Sequence, residues 1–310
     1  MIDAYVPVAV TERSGFTESL HHGAVVALAR DGSLEWSAGD PDVVIYPRSS
    51  LKPLQASSMV GAGLDLDDRL LAVVCASHDG RPEHLAAVAE ILASAGLDRG
   101  DLRNTPTFPL DPDASIAAVL AGESPSSIMQ NCSGKHAGML ATAVVNGWPT
   151  DGYTAPDHPV QRRILDDLQR DVGPVEHVGV DGCGAPAATV SLRALAKAVR
   201  RLAVDGHPVQ RAMTRHPEMV GGPTRAVSVL MRAVAGLVVK DGAEGVFVAA
   251  LPDGRAVAVK IGDGGGRAAA PVLVAALRAL DVDVAADAVV EPILGHGEPV
   301  GRVHSLVGSP

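Results

Sequence analysis

The stretch GVFVAALPDGRAVAVKIGDG, residues 245–264, predicts a β-hairpin and thereby the kind of sheet that this chain builds. Two apolar runs flank Pro252-Asp253-Gly254, a combination of residues that favours a tight turn. Near the other end, GAVVALARDGSLEWSAG (residues 23–39) has the same form around an Asp-Gly turn, and AYVPVAVTER (residues 4–13) predicts a further strand. Because a hairpin pairs its strands antiparallel, the two ends of the chain predict an antiparallel sheet.

Apolar residues at helical spacing dominate the middle of the chain. They mark five stretches: LAAVAEILASAG (85–96), ASIAAVLAG (114–122), KHAGMLATAVVNG (135–147), VQRRILDDLQRDVG (160–173) and ATVSLRALAKAVRRLAV (188–204). The predicted fold class is therefore α/β of the α+β type, in which helices pack on an antiparallel sheet. The sheet comes from both terminal regions, about residues 1–50 and 239–310, and the helical middle region covers about residues 51–238. We expect a single domain over residues 1–310, with two merged lobes as the alternative.

Composition excludes several classes of function. The 310 residues are 47% hydrophobic, which suffices for a large core. A formal net charge of −10 disfavours non-specific nucleic-acid binding, and 3% aromatic residues are too few for base-stacking surfaces. No apolar run approaches the roughly 20 residues that span a bilayer, and the N-terminal segment MIDAYVPVAVTERSG lacks the pattern of a secretory signal. We expect a cytoplasmic protein that binds neither nucleic acid nor membrane.

Polar residues and glycines cluster where apolar elements are predicted to end. Four such segments are CASHDG (75–80), NCSGKHAGM (131–139), VDGCGAP (180–186) and VKIGDGGGR (259–267). Rigid scaffolds display catalytic residues at such positions, and glycine allows the backbone to approach a ligand closely. Each segment alone is more often a helix cap or a turn than a functional site. The odd number of cysteines, Cys75, Cys132 and Cys183, argues against a disulfide framework.

A fifth segment, YPRSSLKPLQA (residues 46–56), contains a candidate nucleophile and base. If residues 49 to 52 form one helical turn, Ser49 and Lys52 share a face and the amine can reach the hydroxyl. A serine becomes a good nucleophile only when a neighbour takes its proton, and a lysine does so only when burial or another cation lowers its pKa. Pro53 is tolerated because a first helical turn has no partner for that N–H. The Ser-x-x-Lys spacing occurs by chance in most chains of this length, so it does not establish a site alone.

Six segments, in chain order, resemble the signature segments of the rhizobial-type L-asparaginase II family. They are PRSSLKPLQA (47–56), CASHDGRPEH (75–84), NCSGKHAGML (131–140), VDGCGAP (180–186), HPEMVGG (216–222) and KDGAEGVFVAAL with VAVKIGDGGGRA (240–268). The resemblance extends from about residue 10 to about residue 270, and CSGKHAGM together with DGCGAP is its most specific part. It implies hydrolysis of L-asparagine to L-aspartate and ammonia, in a fold similar to serine β-lactamases and penicillin-binding proteins.

The resemblance also implies catalytic and metal-binding residues. Its two Ser-Lys pairs fall on Ser49 with Lys52 and on Ser77 with Lys260. The family also has a zinc site beside the catalytic serines, and its ligands match Cys132, Lys135 and Cys183. The zinc ion would hold or tune the active site without performing the chemistry. The family further implies a homodimer.

The residue types suit a serine acyl-enzyme mechanism. Ser49 is expected to attack the side-chain amide carbon while Lys52 takes its proton. The Ser77 hydroxyl would relay protons, and Lys260 would stabilise the oxyanion.

Three more residues are candidates for substrate binding. Arg48 can grip the α-carboxylate through its forked donors, Asp181 can hold the α-ammonium, and His136 can bind substrate or support the metal site.

Other functions compete with an asparaginase. A glutaminase is the nearest alternative, because one added methylene changes rates by only one or two orders of magnitude. A penicillin-recognising hydrolase would share Ser-x-x-Lys and the Lys-Ile-Gly at residues 260–262, but no convincing Ser-Asp-Asn motif is found. A non-catalytic zinc-binding protein would retain the cysteines and would not need both Ser-Lys pairs.

Overall fold

The structure, a computed structural model, describes residues 2–285 and 287–308. The described chain divides into two compact units. The first comprises the residues up to Leu51, Thr189–Gly206 and the residues from Val229 onward; the second comprises Lys52–Ala188 and His207–Ser228. A single domain over residues 1–310 stays a prediction.

Strands and helices alternate with short 3-10 helices along the described residues. The strands are β1 (Val6–Arg13), β2 (Phe16–Leu28), β3 (Leu34–Ala38), β4 (Val44–Ile45), β5 (Val178–Val180), β6 (Pro186–Ala188), β7 (Val190–Ser191), β8 (Val238–Gly242), β9 (Val246–Ala250), β10 (Ala256–Ile261), β11 (Pro292–Gly295) and β12 (Glu298–Ser305). The α-helices are α1 (Lys52–Gly61), α2 (Asp68–Val74), α3 (Pro82–Ser94), α4 (Pro112–Leu120), α5 (Ser133–Val145), α6 (Pro159–Val172), α7 (Leu192–Val204), α8 (Pro208–Arg215), α9 (Pro217–Gly221), α10 (Ala226–Ala233) and α11 (Ala269–Ala279). The 3-10 helices are Ile2–Ala4, Arg48–Leu51, Arg99–Asp101 and Gly266–Ala268.

The first unit is built on an eight-stranded antiparallel sheet in the order β11-β12-β1-β2-β10-β9-β8, with β3 also paired to β2. Both predicted hairpins are present, as β2 with β3 and as β9 with β10. All six residues of β10 are buried, and since successive side chains point to opposite faces, both faces of this strand are covered. Helices α7 and α11 pack against β9 and β10. The predicted antiparallel sheet, drawn from both ends of the chain and packed with helices, is confirmed.

The second unit is mainly helical, as predicted for the middle of the chain. Helix α5 packs against α2 and α3, and α8 against α2. Two glycines allow the close approach of α5 to α2: a Cβ at Gly134 would lie 2.2 Å from the carbonyl oxygen of Val73, and one at Gly138 would lie 2.8 Å from Val74. The short strands β5 and β6 form an antiparallel pair in this unit. No helix among residues 2–285 and 287–308 is long and apolar enough to cross a membrane.

One detail of the predicted arrangement is wrong. The helix expected over residues 188–204 begins only at Leu192, because Ser191 caps α7 by accepting a hydrogen bond from the N–H of Ala194 at 3.2 Å. The preceding residues form β6 and β7 instead. The C-terminal region supplies strands as predicted, and it also contains helix α11, which packs its apolar residues onto the sheet.

Candidate active site

Lys52 is the first residue of α1 and lies completely buried. Its Nζ atom donates to the carbonyl oxygen of Ala76 at 2.5 Å and lies 3.2 Å from Oγ of Ser77. Pro53 follows at the second position of the helix, where no intrahelical partner for an N–H exists. A buried amine therefore faces a buried hydroxyl inside the second unit, which is an arrangement suited to proton transfer.

Ser77 lies in the loop that follows α2, and Cys75 is the C-cap residue of that helix. Neighbouring segments bind the main chain of this loop at several points. The N–H of Ser77 donates to the carbonyl oxygen of Val220 at 3.1 Å, and the N–H of His78 donates to that of Asn131 at 3.2 Å. Nη1 of Arg225 donates to the carbonyl oxygen of Ser77. The loop is thus held by two segments that are distant from it in sequence, one at Asn131 and the other at residues 220–225.

His78 is completely buried beside Ser77, and its hydrogen bonds define its tautomer. Nδ1 accepts from the N–H of Gly80 at 3.1 Å. Nε2 lies 2.8 Å from Oγ of Ser133, whose own hydrogen is donated to the carbonyl oxygen of Ile128 at 2.8 Å, so Nε2 carries the proton. Burial holds the pKa of His78 well below its ordinary value, with smaller contributions from nearby positive groups. His78 is therefore a neutral, structural histidine.

Asp79 is a buried carboxyl in the same loop, with 2% of its surface exposed. Burial raises the pKa of Asp79, and Arg225, whose Nη1 lies 3.9 Å from its Oδ1, acts in the opposite direction. Gly222 lies directly against this carboxyl: a Cβ there would be 1.8 Å from Oδ2 of Asp79. The segment around residues 220–225 thus packs on the Ser77 loop through main chain and side chains together.

The two cysteines and the lysine of the predicted metal site come together, all three buried. Cys132 directly precedes α5, Lys135 lies in the first turn of that helix, and Cys183 lies in the turn that connects β5 and β6. Nζ of Lys135 donates to Sγ of Cys183 at 3.2 Å. Oδ2 of Asp181 lies 3.9 Å from the same sulfur. Lys135 and Cys183 are 48 residues apart in the sequence, and the fold brings them into contact.

Burial, hydrogen bonding and nearby charges shift the pKa of each of the three residues in this cluster. A hydrogen bond from Cys183 lowers the pKa of Cys132 well below its ordinary value, against the effect of burial and with help from Lys52 and Lys135. The same hydrogen bond, together with burial, raises the pKa of Cys183. Burial acts to lower the pKa of Lys135, but the two cysteines and Asp181 outweigh it and the pKa is raised.

The donor set of the cluster fits zinc. Two thiolates and a neutral amine are acceptable ligands for a tetrahedral site with one further position. Cysteine and lysine must both lose their protons to bind a metal. Within the described residues no group of three or more His, Cys, Asp and Glu side chains is positioned to hold a metal ion. The two cysteines would therefore require the lysine amine as their third protein donor.

His136 lies next to Lys135 on α5, with no exposed surface. The OH group of Tyr153 accepts from the N–H of Arg103 at 2.9 Å and lies 2.9 Å from Nδ1 of His136. The tyrosine proton therefore points to Nδ1, which leaves the imidazole proton on Nε2. Nε2 is buried and has no hydrogen-bond partner among residues 2–285 and 287–308. A buried donor without a partner is costly, so this atom is suited to an acceptor on a bound ligand.

Three predicted residues lie in the first unit. Arg48 and Ser49 are half-buried in the 3-10 helix that directly precedes α1, and Arg48 has a left-handed backbone with φ of 55°. This helix packs on β8 and β9. Lys260 lies on β10, where Nζ donates to the carbonyl oxygens of Glu244 and Ile261, each at 2.6 Å. Burial lowers the pKa of Lys260, against the opposing effect of Glu244.

The structure brings some of the predicted residues into direct contact within the second unit. Lys52 meets Ser77, and Lys135 meets Cys183. Sequence reasoning assigned no role to three residues that contact this region: Asp79, Tyr153 and Arg225. Asp79 is part of the polar segment CASHDG, and Arg225 follows HPEMVGG by three residues. No pattern in the sequence singles out Tyr153.

A family model described as L-asparaginase II matches residues 9–305. The chain belongs to the L-asparaginase II family. It is accordingly an enzyme, an amidohydrolase of the asparaginase type, and the family predicted from the signature segments is confirmed. No curated protein matches the chain.

Among solved structures, this L-asparaginase II family member is similar to a β-lactamase from Mycobacterium bovis, with 16% identity, a TM-score of 0.39 and coverage of 83% of this chain and 93% of that one. It is also similar to Mglu in its glutamate form, with 13% identity, a TM-score of 0.43 and coverage of 81% of this chain and 59% of that one.

Proposed function

We propose that this protein hydrolyses L-asparagine to L-aspartate and ammonia through a serine acyl-enzyme in which serine-lysine pairs move the protons. The observation that carries this mechanism is the buried contact of 3.2 Å between Nζ of Lys52 and Oγ of Ser77. The side chain of Lys52 has no exposed surface, so its amine is available to the Ser77 hydroxyl and not to solvent. A contact of this kind between an amine and a serine hydroxyl is suited to proton transfer in an amidohydrolase.

In the first half-reaction, Oγ of Ser49 attacks the side-chain amide carbon of asparagine and Lys52 accepts the proton of the hydroxyl. The tetrahedral intermediate then collapses: the C–N bond breaks, the nitrogen receives a proton from the lysine and leaves as ammonia. An ester between the serine and the aspartyl group remains. Ser77 relays protons to and from Lys52, which the hydrogen bond between their side chains supports.

In the second half-reaction a water attacks the ester carbon and gives its proton to the same lysine. The serine oxygen leaves, regains a proton and releases L-aspartate. Lys260 stabilises the negative oxygen that forms in both steps. Its lowered pKa, caused by burial, also suits it to exchange a proton with Ser77.

Three residues are proposed to bind the substrate. Arg48 pairs with the α-carboxylate through its forked donors, and Asp181, which is half-exposed, pairs with the α-ammonium. Nε2 of His136 donates to a substrate oxygen; in support of this, the atom is buried and has no hydrogen-bond partner in the described part of the chain.

Cys132, Lys135 and Cys183 are proposed to hold a zinc ion. When bound, the ion would supply a fixed positive charge beside the buried lysines and connect the start of α5 to the turn between β5 and β6. The residues of this chain would keep their roles in binding and proton transfer. We further propose that the protein is cytoplasmic and forms a homodimer, as the family resemblance implies.

The experiment that tests the proposed function measures ammonia release from L-asparagine and from L-glutamine, and hydrolysis of a chromogenic β-lactam, with one preparation. Asparagine is expected to react fastest. A higher kcat/KM for glutamine would reassign the substrate, and turnover of the β-lactam alone would reassign the reaction. Absence of all three activities in zinc-loaded protein would contradict catalysis by this site.

A further inference from the structure

Both main-chain polar groups of Ser77 are bound by one segment, residues 220–225. Its N–H donates to the carbonyl oxygen of Val220 at 3.1 Å, and its carbonyl oxygen accepts from Nη1 of Arg225. The hydroxyl of Ser77 faces Lys52 at 3.2 Å. Because residues 220–225 bind both the N–H and the carbonyl oxygen of Ser77, the direction of the Ser77 side chain depends on that segment.

The guanidinium of Arg225 contacts a second residue of the loop. Nη1 also lies 3.9 Å from Oδ1 of Asp79, and the side chain of Asp79 is 3% exposed while that of Arg225 is 26% exposed. A buried carboxylate is strongly unfavourable without an opposite charge. One guanidinium therefore bridges the residues on either side of His78.

The fit between the two segments leaves no room for adjustment at Gly222. This residue has φ of 79°, a conformation that favours glycine, and a Cβ there would overlap the carboxyl of Asp79 at 1.8 Å. His84, on α3, adds a further connection, since its Nε2 donates to the carbonyl oxygen of Glu218 at 2.9 Å. The segment is thus anchored independently of Arg225.

We propose that Arg225 is a positioning residue that aims the hydroxyl of Ser77 at Lys52. The inference rests on the proposed role of Ser77 in proton transfer. Arg225 touches no reacting atom in this scheme. Its loss should slow the chemical step and leave substrate binding largely intact.

The test uses the double variant Arg225→Ala/Asp79→Asn in the full-length, zinc-loaded protein. Removing both charges avoids leaving a buried carboxylate unpaired, so the variant should fold. We expect kcat to fall by about 10- to 100-fold with KM within about twofold of wild type, because a small misplacement of a reacting group costs rate. The matched control is Asp79→Asn, which retains Arg225 and its hydrogen bond to the carbonyl oxygen of Ser77. Its kcat should fall by less than about threefold.

Chemical rescue separates positioning from a general structural effect. Guanidinium chloride at low, non-denaturing concentration should restore part of the kcat of the double variant, whereas ammonium chloride at the same ionic strength should not. If the double variant does not fold, Arg225→Lys replaces it, since a single ammonium cannot bridge both partners and should also lower kcat. Wild-type kcat in the folded double variant, or in Arg225→Lys where that variant replaces it, would overturn the proposal, as would equal rescue by both salts.

Ser77→Ala distinguishes this inference from the proposed function on which it rests. A fully active Ser77→Ala enzyme would remove Ser77 from the mechanism and the inference with it. An inactive Ser77→Ala enzyme beside a fully active double variant would leave the proposed function standing and refute the role of Arg225 alone.

Discussion

Nζ of Lys52 lies 3.2 Å from Oγ of Ser77, although 25 residues separate them in the sequence. The same Nζ donates to the carbonyl oxygen of Ala76, so the lysine is fixed against the Ser77 loop by two contacts. Lys52 also follows Ser49 by three residues along the chain. The buried amine of Lys52 therefore forms a hydrogen bond with Ser77, and its position in the sequence is three residues after Ser49.

Replacing each serine separately assigns the nucleophile. Ser49→Ala should abolish acyl-enzyme formation and reduce turnover by at least about three orders of magnitude, because the attacking atom is missing. Ser77→Ala should still form an acyl-enzyme, more slowly. Mass spectrometry of the protein quenched during turnover, together with kcat, measures both effects.

Ser50→Ala is the matched control for these serines. Its hydroxyl is buried and donates to the carbonyl oxygen of Pro47 at 2.8 Å, so it is committed to the turn and should be dispensable for activity. An active Ser49→Ala enzyme beside an inert Ser77→Ala enzyme would exchange the two roles.

The fold could be predicted where local pattern and tertiary packing agree. In the hairpin at residues 245–264, Pro252-Asp253-Gly254 favours a tight turn and the apolar runs on either side suit buried strands. Strand β10 is a central, buried strand of the sheet, so the local pattern and the packing favour the same structure. The stretch from residue 188 was predicted as helix because its apolar spacing runs without a break into α7. Ser191 caps that helix, whose first residue is Leu192, four positions after residue 188. A serine that caps a helix and a serine within one differ only by context.

The candidate site was predictable as a set of residues and not as a set of contacts. Signature segments identified Cys132, Lys135 and Cys183 before their proximity was known. The contact between Arg225 and Ser77 joins residues 148 apart and has no periodicity that would reveal it. The same holds for Tyr153, whose partner His136 becomes apparent only from the geometry of one hydroxyl group.

Cysteine variants test the metal site. Cys132→Ser and Cys183→Ser should each abolish stoichiometric zinc, because a serine hydroxyl is a much poorer ligand than a thiolate. Folding should persist, since the apolar core of each unit does not depend on one ion. Metal analysis by mass spectrometry after zinc loading and desalting gives the stoichiometry, and circular dichroism gives the fold.

Cys75→Ser is the matched control for the metal variants, because this buried cysteine caps α2 and is not part of the proposed donor set. It should retain full zinc. Zinc-loaded wild type without bound metal, or equal loss in all three variants, would refute the assignment.

Removing the hydroxyl of Tyr153 tests the role of His136. Tyr153→Phe should raise KM roughly three- to tenfold with little change in kcat, because His136 can then change tautomer and its donor to the substrate is no longer fixed. The ¹⁵N chemical shifts of the His136 ring report the tautomer directly. Tyr5→Phe, in the other unit, is the control. A wild-type ring protonated on Nδ1 would contradict the assignment.

Acid should destabilise the protein through His78. Its pKa is held well below the ordinary value, chiefly by burial, while in the unfolded chain a histidine titrates near about 6.5. The unfolded state therefore binds more protons as the pH falls below about 6.5, and stability that is complete above this pH is lost by up to about 1.4 kcal/mol per pH unit. His78→Gln keeps an N–H donor and does not titrate, so the drop in the free energy of unfolding between about pH 7.5 and pH 5.5 should be smaller in this variant.

Urea unfolding of zinc-saturated protein at both pH values measures the difference, and His22→Gln, at an exposed position, should behave as wild type. An equal drop in wild type and His78→Gln would show that the His78 ring gains its proton in the folded protein, and that its hydrogen bonds to Gly80 and Ser133 do not impose the neutral form.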